Sequence, residues 1–167
     1  MTDERHGARQ IVLVPVDEAQ ARRLGVEHQV LSGPLAVFVA NQALCRTFEL
    51  LPGGEEAELA ALQVASVSAL ARTGRRLVLA AQLPVAMIGE AIDEAEVANG
   101  AASLARLAPD RVQAFFADDD RVDATVAAQS ASGLGVDEAW GLTAVQELLA
   151  EPLLWHDISE LADWLSR

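Results

Sequence analysis

Short, mostly apolar runs recur along the chain, and polar or turn-forming residues bound each of them. Runs of about four to eight residues with such boundaries are typical of buried β-strands. Five segments fit this description: residues 11–16, 35–40, 76–81, 112–117 and 153–156. The pattern therefore predicts strands that are spread over the whole chain.

The segments between these runs have helical spacing, and several begin with a residue that caps helices well. The predicted helices span residues 17–24, 41–51, 55–73, 120–131, 137–150 and a terminal segment after Asp157. The helix over 55–73 is apolar on most of its faces, so we expect it to be largely buried. Weaker patterns predict an edge strand over 94–97 and one helical turn over 104–107.

Strands and helices alternate along the chain, and this alternation favours an α/β fold. We expect a mixed or mostly parallel sheet of about five or six strands with helices packed on it. The order strand, helix, break, helix, strand occurs in residues 35–81 and again in 112–157. One hypothesis is that these segments are two pseudo-repeated halves. The alternative is that any α/β domain produces such spacing.

The length of 167 residues corresponds to about one domain. Residues 1–9 are polar and predict a flexible leader, which leaves residues 10–167 for a single α/β domain. The opening residues are too polar for an export signal, and no apolar run approaches the roughly 18 residues of a membrane span. Cys45 is the one cysteine. We expect a buried core thiol in a cytoplasmic protein.

The chain is strongly acidic, with 25 acidic and 12 basic residues and a net charge of −13. Such a chain repels phosphate backbones, so we expect no direct binding to nucleic acid and none to membranes. The arginines cluster at 22–23 and at 72–76. They could form a small patch for phosphate or an acidic partner. The interpretation we prefer is that these cations complement the dipoles of helix C-termini.

Three segments resemble a family of short, uncharacterised actinobacterial proteins. They are residues 75–81, 112–119 and 153–161, and the last, beginning Leu-Leu-Trp-His-Asp, is the most distinctive. The match in order and length covers most of the chain after Gln10. Family members tend to carry a tyrosine at the position of His156 and to start almost at the first strand. The resemblance implies a bacterial cytoplasmic α/β protein of unknown function, and it transfers no catalytic residue.

Acidic or amide side chains follow several predicted strands, at Asp17, Asn41, Asp118 to Asp120 and Asp157. In a parallel sheet such residues would converge at one edge, where ligands bind. Their oxygens suit Mg²⁺, so Asp118, Asp119 and Asp120 are candidate metal ligands. Asp118, Asp120, His156 and Asp157 are the candidate catalytic residues, with His156 as a general acid or base. The interpretation we prefer is that these strand-end residues cap helices, Asp157 together with Glu160 as a capping box.

Tryptophan is enriched at binding interfaces, and Trp140 and Trp164 are candidates for partner contact. Core packing is the alternative for both. The sequence has no nucleophile elbow, no phosphate-binding loop and no dinucleotide fingerprint. We therefore expect a non-catalytic binding or regulatory domain, without a cofactor, that contacts a protein partner or a second copy of itself. The alternative function is a Mg²⁺-dependent phosphoester hydrolase that uses the strand-end carboxylates.

Overall fold

The computed structural model describes residues 8–167, which contain one seven-stranded sheet. The strands are β1 (Arg9–Pro15), β2 (Leu31–Phe38), β3 (Val78–Pro84), β4 (Ile88–Gly89), β5 (Ala101–Leu107), β6 (Val112–Ala117) and β7 (Leu154–Asp157). The α-helices are α1 (Glu18–Gly25), α2 (Gln42–Phe48), α3 (Glu55–Thr73), α4 (Thr125–Ala131), α5 (Val136–Trp140), α6 (Thr143–Leu149) and α7 (Leu161–Leu165). The expected leader, residues 1–9, lies outside the described residues apart from Ala8 and Arg9, and Arg9 begins β1.

All neighbouring strands are antiparallel, in the order β4-β5-β2-β1-β3-β6-β7. The prediction of a mixed or mostly parallel sheet of five or six strands is therefore wrong. Residues 104–107, predicted as a helical turn, belong to β5 and pair with β2. Residues 94–97, predicted as an edge strand, lie in the 3-10 turn Glu94–Asn99. Both errors fall where the alternation of apolar and polar positions is weak.

α1 is shorter than β1, and β2 returns antiparallel to β1. α1 has 8 residues and is about 12 Å long at 1.5 Å per residue. A parallel crossover would have to carry the chain back along β1, whose 7 residues extend about 23 Å. The short helix instead keeps the chain at one end of the sheet. The longer α3, with 19 residues, spans about 28 Å and does traverse the sheet, since β2 and β3 run in the same direction.

The two hypothetical halves have different topologies. In residues 35–81, β2 and β3 lie on either side of β1 and point the same way. In residues 112–157, β6 and β7 are direct neighbours and antiparallel. The pseudo-repeat hypothesis is therefore wrong. The similar spacing of the two segments reflects only the alternation of helices and strands.

Hydrophobic side chains line both faces of the sheet. On one face, Val12 and Leu79 join α1 and α7 in one buried cluster. On the other, Leu13 and Val78 join α3, α4, α5 and α6 in a second cluster. α3 lies over β1, β2 and β3, and its alanines let the helix approach the strands closely. This packing confirms the expected burial of the 55–73 helix and leaves β6 and β7 at the side of the helical layer.

Two expectations about single features can also be compared with the structure. Cys45 lies in α2 and is buried as a free thiol, as predicted. Within residues 8–167, no helix combines the length and the apolar character that a membrane crossing requires.

Candidate functional site

The antiparallel sheet divides the strand-end side chains between its two ends. β1 and β6 run in the same direction, so Asp17 and Asp118–Asp120 follow strands at one end. β2 and β7 run in the opposite direction, which places Asn41 and Asp157 at the other end. The expected convergence of these residues is therefore wrong, because it required neighbouring strands to be parallel.

Asp118 is the counter-ion of a buried arginine. Arg76 is only 4% exposed, and its guanidinium donates to both carboxylate oxygens of Asp118 through Nε, at 3.1 and 3.3 Å, and also through a terminal nitrogen. The same terminal nitrogen donates to the backbone carbonyl of Glu151 at 3.0 Å. Of the arginines at 72–76, Arg72 lies in the last turn of α3, as expected for a cation at a helix C-terminus, whereas Arg76 lies beyond the end of the helix at Thr73. The Arg76–Asp118 pair ties β6 to the segment that leads into β3.

Asp119 and Asp120 each face a different arginine. Asp119 accepts from Arg121 Nη2 at 3.1 Å, and this side-chain bond, together with the Arg121 backbone N–H, lowers the pKa of Asp119 below its ordinary value. Asp120 Oδ2 lies 3.6 Å from Arg167 Nη1. Among residues 8–167, no three histidine, cysteine or carboxylate side chains are arranged to hold a metal ion. The geometry therefore adds nothing to the Mg²⁺ hypothesis.

His156 and Asp157 lie at the far edge of the sheet and make local contacts. The His156 imidazole stacks on Phe115 with ring centroids 4.7 Å apart, and its Nδ1 lies 3.9 Å from Glu160 Oε2. Asp157 accepts from the backbone N–H of Ser159 at 2.9 Å, and this bond lowers the pKa of Asp157. Glu160 in turn accepts from the Asp157 N–H at 2.8 Å. Asp157 and Glu160 thus form the capping box that the sequence suggests.

The two tryptophans singled out by the sequence pack against other rings. Trp164 is 8% exposed, meets Phe115 edge-on at 5.6 Å, and carries the Arg75 guanidinium 4.9 Å above its ring. Trp140 is half-buried and meets Phe48 edge-on at 5.7 Å. Partner contact through either ring remains a prediction that these contacts do not test.

Trp155 is the exposed tryptophan. It lies on the edge strand β7, its side chain is on the same face of the sheet as Phe116, its register partner, and it is 60% exposed. An aromatic ring of this size usually buries about 150–250 Å² in a core or an interface. The exposed part of Trp155 thus offers a large apolar contact surface at the edge of the sheet face on which α3 packs.

Trp155 borders a groove with a volume of about 360 Å³, which we call the Trp155 groove. Its floor is formed by the strand residues Ile11, Leu13, Ala80, Ala114 and Phe116. Its wall is formed by Glu55, Glu58, Leu59 and Leu62 of α3. Leu59 is 55% exposed and Ile11 36%, whereas Leu13 and Ala114 on the floor are each 4% exposed, so the groove is open at its rim and well packed at its floor. The groove exists because α3 covers β1 to β3 and stops short of β6 and β7.

A larger depression of about 620 Å³ lies among α4, α6 and the loop after β6. Four carboxylates line it, those of Asp119, Asp123, Glu147 and Glu151. Asp119 is paired with Arg121, and Asp123 accepts from the Thr125 N–H, so both already have protein partners. This depression has the character of a solvated acidic surface, and the Trp155 groove is the stronger candidate for a site.

Residues 11–165 match a family of unknown function, DUF6912. The chain belongs to the DUF6912 family. The matched segment begins at Ile11 on the groove floor and contains Trp155, so the whole Trp155 groove lies within the family unit. No curated protein and no solved structure matches the chain.

One part of this site, the helix face that forms the groove wall, can be recognised in the sequence. Glu55, Glu58, Leu59 and Leu62 are spaced at i, i+3, i+4 and i+7, which is one face of a helix. Because the rest of α3 is also apolar, that face did not stand out. The position of Trp155 on an edge strand depends on the strand order, which the linear pattern does not contain.

Proposed function

We propose that this DUF6912 member is a non-catalytic binding domain that recognises another protein through the Trp155 groove. The exposed indole beside a groove with a mostly apolar floor is the observation that carries the proposal. Burying about 100–150 Å² of the ring would contribute on the order of 2.5–4 kcal/mol at 25 cal/mol per Å². That contribution is typical of the few residues that dominate a protein interface.

Charge favours a basic partner over a second copy of the chain. Glu55 and Glu58 stand in the groove wall, and no basic side chain among residues 8–167 lines the groove. A second copy would bring another net charge of −13 and the same two glutamates to the contact. Like charges placed opposite one another disfavour association, whereas lysines or arginines on a partner would be attracted.

Site-specific photo-crosslinking in the cell tests this proposal. The full chain would carry a photoreactive benzoylphenylalanine at position 59, in the groove wall, or at position 126 as a control. Val126 is 66% exposed and lines the acidic depression, so it matches Leu59 in exposure but not in location. We expect position 59 to give a discrete crosslink to a segment that contains both apolar and basic residues.

Three results would count against this assignment. Equal crosslinking from positions 59 and 126 would show that the groove has no preference over another exposed apolar site. A captured segment without basic residues would remove the charge argument. Crosslinks to a second copy of the chain, together with a dimer in sedimentation that Trp155→Ala abolishes, would show that the groove serves self-association instead.

A further inference from the structure

The wall of the Trp155 groove is one continuous face of a helix. Glu55, Glu58, Leu59 and Leu62 follow one another at helical spacing along the first half of α3. Many of the other side chains of α3 pack on the sheet and on the helices beside it, where Ala61, Val64 and Ala65 are fully buried, while Glu56 faces solvent. On the groove side of the helix, Leu59 is 55% exposed.

The floor beside this helix is a strip of sheet whose side chains are mostly small or apolar, although Gln113 also lines it. Ala80 and Ala114 lie opposite each other in register on β3 and β6, with Phe116 and Trp155 next along the strip. Helices pack side by side at about 8–10 Å. A partner helix placed beside α3 at that spacing would lie over the groove floor, next to Trp155.

The free edge of β7 is poorly suited to the alternative, in which a partner adds a strand to the sheet. β7 has only four residues, and its Asp157 N–H already donates to Glu160 Oε2 at 2.8 Å. Short edge strands of this kind hinder strand addition. A strand paired to β7 would extend the sheet at its edge and would leave the groove floor beside α3 uncovered.

The charges around the groove indicate what flanks the partner's apolar face. Glu55 and Glu58 lie in the first turn of α3, where acidic residues also complement the helix dipole. That role accounts for their charge, but it does not account for the exposed Leu59 that lines the groove with them. A partner with apolar side chains toward Leu59 and Trp155 and basic side chains toward the two glutamates satisfies both features.

We infer that the Trp155 groove receives an amphipathic α-helix of another protein, which lies beside α3 and presents lysine or arginine next to its apolar stripe. This inference rests on the proposed binding function and specifies the partner's shape and charge. It rests on the exposed Leu59 of α3, the mostly apolar groove floor on β3 and β6, and the exposed Trp155.

Two synthetic peptides of the same composition provide the test. Each has about 18 residues, or about five helical turns, of leucine and lysine. In the first, leucine recurs at i, i+3, i+4 and i+7; in the second, leucine and lysine alternate as in a strand. The dissociation constants of the labelled peptides are measured by fluorescence anisotropy with the full chain. We expect the helical peptide to bind at least about tenfold more tightly than the alternating one.

Protein variants show whether binding occurs in the groove. We expect Trp155→Ala and Leu59→Ser each to weaken the helical peptide about tenfold or more, and the exposed control Val126→Ser to change it less than about twofold. The double variant Glu55→Gln/Glu58→Gln should weaken binding and reduce its dependence on salt. Circular dichroism of each variant confirms that the fold is intact.

The inference is overturned if the alternating peptide binds as well as or better than the helical one, if neither binds below about 100 µM, or if Val126→Ser has the same effect as Trp155→Ala. This failure can be distinguished from failure of the proposed function. If the position-59 crosslink succeeds while the alternating peptide is preferred, the groove still binds proteins, but not as helices. If the crosslink fails as well, the binding function itself is refuted.

Discussion

The substitution Asp118→Asn tests whether Asp118 belongs to a structural ion pair or to a cluster of catalytic carboxylates. Arg76 has 3% of its side chain exposed and Asp118 has 16%, so removing the negative charge leaves a buried guanidinium without its counter-ion. Breaking a buried pair on one side typically costs about 3–5 kcal/mol. Because water reaches part of Asp118, we expect the lower end, about 3 kcal/mol. For a chain of this length, that cost corresponds to a fall of about 6–12 °C in the thermal midpoint.

Urea unfolding followed by circular dichroism at neutral pH measures this cost as a lower midpoint with an unchanged slope. Asp120→Asn is the matched control. Its carboxylate and its partner Arg167 are 77% and 63% exposed, and exposed pairs contribute about 0–1 kcal/mol. Adding Arg76→Met to Asp118→Asn should restore part of the lost stability, since no buried charge then remains. A neutral or stabilising Asp118→Asn would refute the reasoning, because relief of repulsion is what a cluster of catalytic carboxylates would show.

Two further predictions concern the backbone and the pH dependence of stability. Gly100 and Gly53 both have positive φ, but a β-carbon at Gly100 would collide with the Val39 carbonyl oxygen and Leu44, while Gly53 has open space. Urea unfolding should therefore show Gly100→Ala to be at least about 2 kcal/mol more destabilising than Gly53→Ala, and equal costs would contradict this. Hydrogen bonds hold the pKa values of Asp119, Asp123 and Asp157 below the ordinary value. The ionised carboxylates therefore stabilise the fold above about pH 4, and this stabilisation is lost as the pH falls through the lowered pKa values. Thermal melts from about pH 6 down to pH 2.5 should fall less steeply when all three are changed to asparagine, and an unchanged slope would contradict the assignment.

Local structure could largely be predicted from the sequence. Asp17 and Asn41 cap α1 and α2 through bonds to the N–H groups of Gln20 and Leu44, as their positions before apolar helical patterns suggest. The strands at 11–16 and 112–117 and the helix at 55–73 are also present, because each has a strong apolar period or clear boundaries. Such features depend on neighbours within a few residues.

The arrangement of the strands could not be predicted from periodicity alone. A helix between two strands suggested a parallel crossover, but β2 pairs antiparallel to β1. β5 was missed because its pattern of buried and exposed positions is irregular beyond Leu104. Once strand order was wrong, the expected convergence of the carboxylates was wrong as well.

The site itself depends on contacts between distant parts of the chain. Arg76 and Asp118 are 42 residues apart, and nothing local marks them as a pair. The groove brings Trp155 together with residues of β1, β3 and β6 and with α3, which lies about a hundred residues earlier in the sequence. The linear pattern therefore identified Trp140 and Trp164, which lie in helices, and gave Trp155 no special weight.

The most direct test of the central claim uses the three tryptophans as internal reporters. The indole N–H signals of the ¹⁵N-labelled chain are followed by NMR while the helical leucine–lysine peptide is added, and the Trp155 signal is identified by its loss in Trp155→Phe. We predict a saturable shift of the Trp155 signal, while those of Trp140 and Trp164 stay in place. A shift of Trp140 or Trp164 with an unmoved Trp155 would contradict the account and would locate the binding surface elsewhere.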